Sequence, residues 1–292
     1  MSGSAGPLLA IDSSTSTGSV AVGAAGHVLA EVSLRVAGGH SSALMPAVDY
    51  AIRSAGLKPA DLGGVVVGAG PGSFTGLRIA GATAKGIVQG LEVPLFAYSS
   101  LLAAAAQAWS AAGPVCALFD ARGRDVFAAC YRFGDGIEAV LPPRALSVDE
   151  LIQRMRSSGG DVLFLGDGAE RHAKELTTAG VGRCAPSHFG VPRAAALIWL
   201  AETWPERGRV ADPAAWQPDY LRASGAERIA AARRAETDAA VPRADTAAAA
   251  PPTETDVAGR QANTDETATE GDGKAARKQG AADGPEAGRG AS

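Results

Sequence analysis

Short apolar runs alternate with segments of helical periodicity along most of this chain, and this alternation constrains the fold more than any other feature. The run LLAID at 8–12 has the length of a buried strand, and two further strand-like runs follow it at hairpin spacing. A segment of helical period comes next, in which Leu44, Val48 and Ile52 fall on one face. The alternation predicts an α/β protein with sheets flanked by helices.

The pattern restarts in the middle of the chain. Residues 115–133 read as strand, turn and strand, as do residues 8–24, and in both segments the first strand ends in an aspartate, Asp120 or Asp12. A repeated opening of this kind predicts two duplicated α/β halves. We expect a first domain over residues 1–112 and a second over residues 113–225.

The composition changes sharply after residue 225. Residues 226–292 consist mainly of Ala, Asp, Glu, Arg, Thr and Gly, with almost no bulky apolar side chain. Such a segment cannot bury enough apolar area to offset the entropy lost on ordering. The sequence therefore predicts a disordered C-terminal tail, and the functional residues are expected before it.

Charge, cysteine and histidine content argue against several functions. The formal net charge is −4 without a dense block of Lys and Arg, which disfavours nucleic-acid binding by this chain alone. Cys116, Cys130 and Cys184 are scattered, and we interpret them as reduced core residues of a cytoplasmic protein. The histidines lack metal-ligand spacing, so no metal site is predicted. The N-terminal apolar run is too short for a signal or a membrane span.

The segment 68–76, GAGPGSFTG, places glycines and a proline between an apolar strand and a helix. A phosphate cradle, a tight turn and a docking surface for a second protein are all open interpretations. A Walker loop requires a lysine directly after its last glycine, but Leu77 follows Gly76 here. The dinucleotide-binding fingerprint also fails, because Ser73 stands where its last glycine should be. A turn with Ser73 or Thr75 capping the helix accounts for the glycines, and a weak anion site at the helix start stays open.

The helix after this segment carries small residues on one face. Gly76, Ala80 and Ala84 recur at four-residue spacing, with Thr83 beside them. These residues give up packing volume, which lets another helix approach closely. That neighbour is either part of the same molecule or a second protein.

Two polar turns are candidates for nucleotide binding. Asp12 is followed by Ser13 and Thr15, and a carboxylate with hydroxyls suits hydrated Mg²⁺ and nucleotide phosphates. Asp120 is the equivalent in the second half, and Gly168 follows a predicted strand at a point where a nucleoside could approach. The alternative is that the aspartates merely cap turns.

Several of these segments together resemble the TsaB (YeaZ) family. The resemblance covers residues 8 to about 224 and rests on five segments: 8–22, 40–48, 68–87, 119–131 and 218–222. It implies two duplicated domains of the actin-like ATPase (ASKHA, RNase H-like) fold. It also implies membership of the bacterial machinery that makes threonylcarbamoyladenosine in tRNAs reading codons that begin with A.

The family is implied to be a non-catalytic scaffold that supports its paralogue TsaD, which transfers threonylcarbamoyl to N6 of the adenosine adjacent to the anticodon. The metal-binding histidines of TsaD would fall at Ser100 and Ala104 of this chain, and neither side chain can replace imidazole. The resemblance therefore implies no catalytic residue, no metal and no required cofactor. ATP or ADP with Mg²⁺ near the subunit interface is left open.

The implied partners are TsaD, in a heterodimer, and TsaE, with tRNA contacted only through the complex and no membrane involved. A homodimer is a further option when TsaD is absent. The docking contacts are expected on the helix at residues 42–55 and on the helix that the Gly-Pro-Gly turn begins, at Leu44, Val48, Ile52, Ser73, Phe74, Gly76, Ala80, Thr83 and Ala84. The alternative function is a stand-alone ATPase or kinase-like phosphotransferase of the actin-like superfamily that uses Asp12 and Asp120.

Overall fold

The computed structural model describes residues 6–35, 40–157 and 161–221, all within a single compact unit. The predicted tail, residues 226–292, lies outside the described residues. Within these ranges, the strands form two five-stranded sheets. No helix among the described residues has both the length and the apolar character needed to cross a bilayer.

The first sheet is mixed. Its strands are β1 (Leu8–Asp12), β2 (Thr17–Ala24), β3 (His27–Arg35), β4 (Gly64–Gly68) and β5 (Leu95–Tyr98). They lie in the order β3-β2-β1-β4-β5. Antiparallel pairing joins β1 to β2 and β2 to β3, and parallel pairing joins β1 to β4 and β4 to β5.

The second sheet repeats this arrangement. Its strands are β6 (Val115–Asp120), β7 (Asp125–Phe133), β8 (Ile137–Ser147), β9 (Val162–Leu165) and β10 (Gly182–Cys184), in the order β8-β7-β6-β9-β10. The pairing directions match those of the first sheet strand for strand. The predicted α/β architecture with two mixed sheets is confirmed, whereas duplication and the boundary at residue 112 stay predictions.

Helices follow the strands in the order that the sequence predicts, with differences at the ends. They are α1 (His40–Ser54), α2 (Phe74–Leu91), α3 (Ser100–Ala106), α4 (Val148–Arg156), α5 (Asp167–Arg171), α6 (Ala173–Thr178), α7 (Ala194–Thr203) and α8 (Pro205–Gly208). The sequence GAERHAKELTTAG predicts one helix over residues 168–180, and the structure interrupts that helix at His172, between α5 and α6. β8, β10 and α8 were not predicted.

The two faces of the first sheet are covered by different helices. Because side chains alternate along a strand, Leu9 and Ile11 of β1 point to one face and Leu8 and Ala10 to the other. The former belong to a buried cluster with α1 and α2, and the latter to a cluster with α7. The first sheet is therefore the middle layer of three.

The helices that follow the two sheets are exchanged between them. α3 comes directly after β5 yet packs against β6 and β7 of the second sheet, and α7 comes after β10 yet packs against β1, β2 and β4 of the first. α3 and α7 also contact each other. One of the helices that cover each sheet thus comes from the other half of the chain.

Candidate functional site

The glycine-rich segment 68–76 forms the junction between β4 and α2 and packs directly on the turn between β1 and β2. The hydroxyl of Ser13 donates to the Gly76 carbonyl (2.7 Å), and the amide of Ser73 donates to the Ser14 carbonyl (2.6 Å). A Cβ atom on Gly76 would collide with the Ser13 carbonyl, and one on Gly72 with the Ser14 carbonyl. Glycine is required at both positions because two backbone segments touch there.

The turn interpretation of this segment is confirmed. Ser73 is the N-cap of α2, and its hydroxyl accepts a hydrogen bond from the Gly76 amide (3.3 Å). Since the Ser73 amide is bonded to Ser14, two of the donors at the start of the helix already have protein partners. The weak anion site that the sequence left open is not favoured by this arrangement.

Asp12 is completely buried at the end of β1, where its carboxylate links the β1–β2 turn to the first residue of α3. Oδ1 accepts from the amide (2.8 Å) and the hydroxyl (2.6 Å) of Ser14, and Oδ2 accepts from the hydroxyl of Ser100 (2.7 Å). Ser100 Oγ in turn accepts from the Gly70 amide (3.2 Å). Hydrogen bonds of this kind compensate a carboxylate for its loss of water.

This arrangement does not fit a bound magnesium nucleotide. Asp12 and Ser13 have no exposed surface, and both carboxylate oxygens of Asp12 are occupied. Thr15 is half-buried and donates its hydroxyl to the Thr17 carbonyl (3.2 Å). A nucleotide would reach these groups only if the two loops separated. Nucleotide binding at Asp12, Ser13 and Thr15 stays a prediction, and this conformation does not favour it.

The equivalent aspartate of the second half, Asp120, is more open. Its carboxylate accepts from the Arg171 guanidinium (2.7 Å) and from the Arg122 amide (2.9 Å), and its side chain is 28% exposed. Gly168 is buried in the first turn of α5, where a Cβ atom would lie 3.0 Å from the Leu118 backbone. We therefore assign Gly168 to close packing of α5 on β6, and its approach to a nucleoside stays a prediction.

Most of the predicted docking residues are core residues in this structure. Leu44, Val48 and Ile52 of α1 are 3–5% exposed, and Ala80 and Ala84 of α2 are fully buried. All five belong to the cluster that holds α1 and α2 on the first sheet. The prediction that these side chains form the contact surface is corrected accordingly: a partner on the two helices would meet their opposite faces.

The start of α2 carries the predicted docking residues that reach the surface. Ser73 is exposed, and Phe74 is half-buried against Tyr220, with ring centroids 4.9 Å apart. The guanidinium of Arg78 lies 4.0 Å from the centroid of the Phe74 ring, a cation–π contact. Thr83, in the next part of the helix, is half-buried.

The outward faces of α1 and α2 form a surface that the sequence analysis missed. α1 and α2 contact each other. Met45 and Tyr50 of α1 are 50% and 60% exposed. Asp49 and Arg53 of the same helix form an exposed ion pair with each other. We define the α1–α2 outer face by its exposed residues Met45, Asp49, Tyr50, Arg53, Arg78, Ala82, Gly86 and Gln89. The signal in the sequence is that Met45 and Tyr50 are apolar but lie off the stripe of Leu44, Val48 and Ile52.

A C-terminal strap, residues 210–221, runs along the side of α2. The Lys85 ammonium group donates to the carbonyls of Ala214 (2.6 Å) and Trp216 (2.9 Å), and a Cβ atom on Gly81 would lie 3.3 Å from the Trp216 ring. The Asp219 amide donates to the Ala69 carbonyl (2.8 Å). The strap fixes the edge of the α1–α2 outer face without covering it.

A separate cavity of about 470 Å³ lies on the α7 side of the first sheet. Its lining includes Trp109, Phe189 and Trp199, together with the ion pair of Glu31 and Arg193. It contains none of the residues predicted as site residues.

Comparison with known proteins agrees with this architecture. A family model described as "TsaD: tRNA N6-adenosine threonylcarbamoyltransferase" matches residues 29–229. YeaZ from Pseudomonas aeruginosa has a solved structure that superposes with a TM-score of 0.61 at 27% identity, over 74% of this chain and 100% of that one. A second solved structure from the same organism, described as having similarity to peptidase YEAZ, gives 0.64 at 28% identity over the same shares. The fold and the matched model thus define an α/β protein of the TsaD-like class.

Individual relatives narrow this class. The tRNA threonylcarbamoyladenosine biosynthesis protein TsaB of Bacillus subtilis is 33% identical over 225 residues, which span 75% of this chain and 96% of that protein. The protein of the same name from Escherichia coli is 34% identical over 170 residues, 55% of this chain and 71% of that protein. The chain belongs to the TsaB (YeaZ) family of tRNA threonylcarbamoyladenosine biosynthesis proteins.

Proposed function

We propose that this chain is a non-catalytic subunit of the cytoplasmic machinery that makes threonylcarbamoyladenosine on tRNA. In this proposal it docks onto TsaD as a heterodimer, TsaE joins the complex, and tRNA is bound only by the assembly. Membership of the TsaB family supports the pathway, and the formal net charge of −4 supports a chain that does not grip tRNA alone.

The observation that carries the non-catalytic role is the environment of Ser100 and Ala104. The resemblance to the family aligns these positions with the metal-binding histidines of TsaD. Here the Ser100 hydroxyl is buried and occupied by Asp12, while Ala104 is fully buried and has no donor atom. A metal-assisted transfer would need ligands that these two positions do not supply.

The docking surface in this proposal is the α1–α2 outer face. Met45 and Tyr50 expose large apolar groups on either side of the ion pair of Asp49 and Arg53, and protein interfaces combine apolar anchors of this kind with polar contacts. The exposed small residues of α2, Ala82 and Gly86, leave open space above the helix, so a partner helix could approach closely.

The test of this proposal is a double variant, Met45→Asp with Tyr50→Asp. Both side chains point to solvent in this chain, so the variant is expected to fold normally. Its affinity for TsaD, measured by isothermal titration calorimetry, should fall by about 30-fold or more, as expected when interface anchors are replaced by charge. Modification of tRNA in the reconstituted reaction should fall with it.

A matched control carries the same chemistry elsewhere. Trp109 and Phe189 are 62% and 40% exposed and line the cavity on the α7 side. The double variant Trp109→Asp with Phe189→Asp should bind TsaD as the unmodified chain does. Equal affinity for all three proteins would refute docking through the α1–α2 outer face.

We include no required cofactor in the proposal. Asp12 is already fully hydrogen-bonded, so ATP or ADP with Mg²⁺ would bind, if at all, at the interface with TsaD. Calorimetric titration of ATP and Mg²⁺ into this chain, with and without TsaD, checks this. Saturable binding to the isolated chain that is lost in Asp12→Asn would revive the stand-alone ATPase alternative.

A further inference from the structure

Two of the three cysteines face each other across neighbouring strands of the second sheet. In the antiparallel pairing of β6 with β7, Cys116 lies directly opposite Cys130. Opposed residues of an antiparallel pair have Cα atoms about 4.5–5.5 Å apart, within the span of about 4.4–6.8 Å that a disulfide bridges. The backbone therefore already has the separation that a disulfide needs.

The two thiols also share one side of the sheet. Directly opposed residues project to the same face, and both cysteines belong to the buried cluster formed with Val148 and Leu151 of α4. A hydrogen bond between the thiols raises the pKa of Cys116 and lowers the pKa of Cys130. Of the two facing thiols, Cys130 is the better thiolate, because its pKa is the one that is lowered.

We propose that Cys116 and Cys130 are a modification site at which a peroxide forms a cross-strand disulfide that ties β6 to β7. Cys130 attacks hydrogen peroxide, the O–O bond breaks, and a sulfenic acid and one water form. Cys116 then attacks the sulfenic sulfur, the S–S bond forms, and the hydroxyl leaves as a second water. Two thiols are oxidised, one peroxide is reduced, and both thiol protons end in water. This inference is independent of the proposed function.

Burial sets the rate of this reaction without changing its product. Neither cysteine has exposed surface, so oxidant reaches the pair only when the second sheet opens locally. Cys184 is half-buried, and its thiol donates to the Ala169 carbonyl (3.9 Å) instead. The pairing is thus expected to be selective although all three thiols are free in this structure.

The experiment uses the full chain in two arms: stoichiometric hydrogen peroxide added to the folded protein, and refolding of the reduced protein in the presence of the same amount of peroxide. Remaining thiols are alkylated, and unreduced digests are read by mass spectrometry. The number of alkylated thiols should fall from three to one in at least one arm, with Cys116 and Cys130 in a single linked peptide. Dithiothreitol should restore all three.

Alanine variants separate the pair from the third cysteine. Cys184→Ala should form the linked peptide as the unmodified chain does, whereas Cys116→Ala and Cys130→Ala should not. The midpoint of urea unfolding should be higher for the oxidised chain than for the reduced one. Three alkylatable thiols in both arms, or a disulfide that includes Cys184, would overturn the proposal.

Discussion

The two sheets have the same strand order and pairing directions, yet the helices above them present different outer surfaces. On the first sheet, α1 exposes Met45 and Tyr50 to solvent. On the second, the exposed positions of α4 carry charges, and Arg154 pairs with Glu150 (2.7 Å) while Asp149 pairs with Arg124 (2.9 Å). Strand topology thus fixes where a helix lies, and the residues on its outer face decide whether another protein can bind there.

The halves also differ in the surroundings of the aspartate beside the helix that follows the fourth strand. In the first half, α2 begins in backbone contact with the β1–β2 turn through Gly76, and the buried Asp12 is hydrogen-bonded on both oxygens. In the second half, Asp120 is partly exposed, and Gly168 has slightly more space. The two junctions therefore differ in the burial of the aspartate rather than in backbone contact, because a Cβ atom on Gly166, the N-cap of α5, would also collide with the Leu118 carbonyl of β6.

The largest effect in the comparison of the two halves is expected for Gly76→Ala. The added methyl would collide with the Ser13 carbonyl, so the backbone must move, and the free energy of unfolding should fall by about 3 kcal/mol. Gly168→Ala should cost less, because its nearest contacts are at 3.0 Å. Urea unfolding monitored by circular dichroism measures both.

Gly86→Ala in the same helix α2 is the matched control. Its Cβ atom would enter open space, and alanine is the better helix former, so stability should rise by up to ~1 kcal/mol. A similar loss of stability for Gly76→Ala and Gly86→Ala would contradict the close backbone contact.

The next largest loss of stability is expected for Asp12→Ala, and the equivalent Asp120→Ala should lose less. Asp12→Ala would leave the buried hydroxyls of Ser14 and Ser100 without their acceptor, at a cost of about 2–3 kcal/mol. Asp120→Ala removes a partly exposed ion pair with Arg171 and should cost about 1 kcal/mol or less. Thermal unfolding of both variants checks the order, and equal losses would show that the two junctions are equivalent.

A pH effect common to both halves is expected from two buried tyrosines. Burial raises the pKa of Tyr98 in β5 and of Tyr131 in β7 from 10.0 to about 12. The folded state holds these two protons more tightly than the unfolded state does. The contribution of the tyrosines to the free energy of unfolding is therefore fully present below pH 10 and is lost as the pH rises through about 12. Urea midpoints between pH 8 and 12 should fall less steeply for Tyr98→Phe and Tyr131→Phe. The change in the urea midpoint at pH 8 measures the loss of the hydroxyl contact itself, because tyrosine is protonated there. If the urea midpoint falls with pH as steeply in both variants as in the unmodified chain, the tyrosines are not the cause of the pH effect.

The smallest effect is expected on the charged helix of the second half. The ion pair of Glu150 and Arg154 is exposed, with the two side chains at 46% and 44%. Glu150→Ala should therefore change the free energy of unfolding by no more than ~0.5 kcal/mol and leave TsaD binding as it was. A measurable loss of TsaD affinity in this variant would extend the docking surface to α4.

The sequence predicts the elements of the fold well where periodicity is strong. The strands β1, β4 and β6 are short continuous apolar runs, and α1 and α2 have clear helical faces. β8 was missed because its run contains Pro142 and Pro143, which argue against a strand, but a strand at the sheet edge tolerates proline. β10 has only three residues, too few for a periodic signal.

The candidate site was harder to predict because periodicity reveals an apolar face without revealing what covers it. Leu44, Val48 and Ile52 were correctly placed on one face of a helix, but that face packs on the protein's own sheet. The small residue Gly76 was correctly identified as allowing close approach, but the group that approaches is the Ser13 backbone. Both contacts join segments distant in the chain, so only tertiary structure could assign them.

The exchange of covering helices has a consequence for biosynthesis. All five strands of the first sheet have left the ribosome long before α7 is translated, and until then Leu8, Ala10 and Val66 lack the helix that buries them. One apolar face of the first sheet is therefore uncovered in the nascent N-terminal half. Both halves must reach their native packing together, late in synthesis, rather than one after the other.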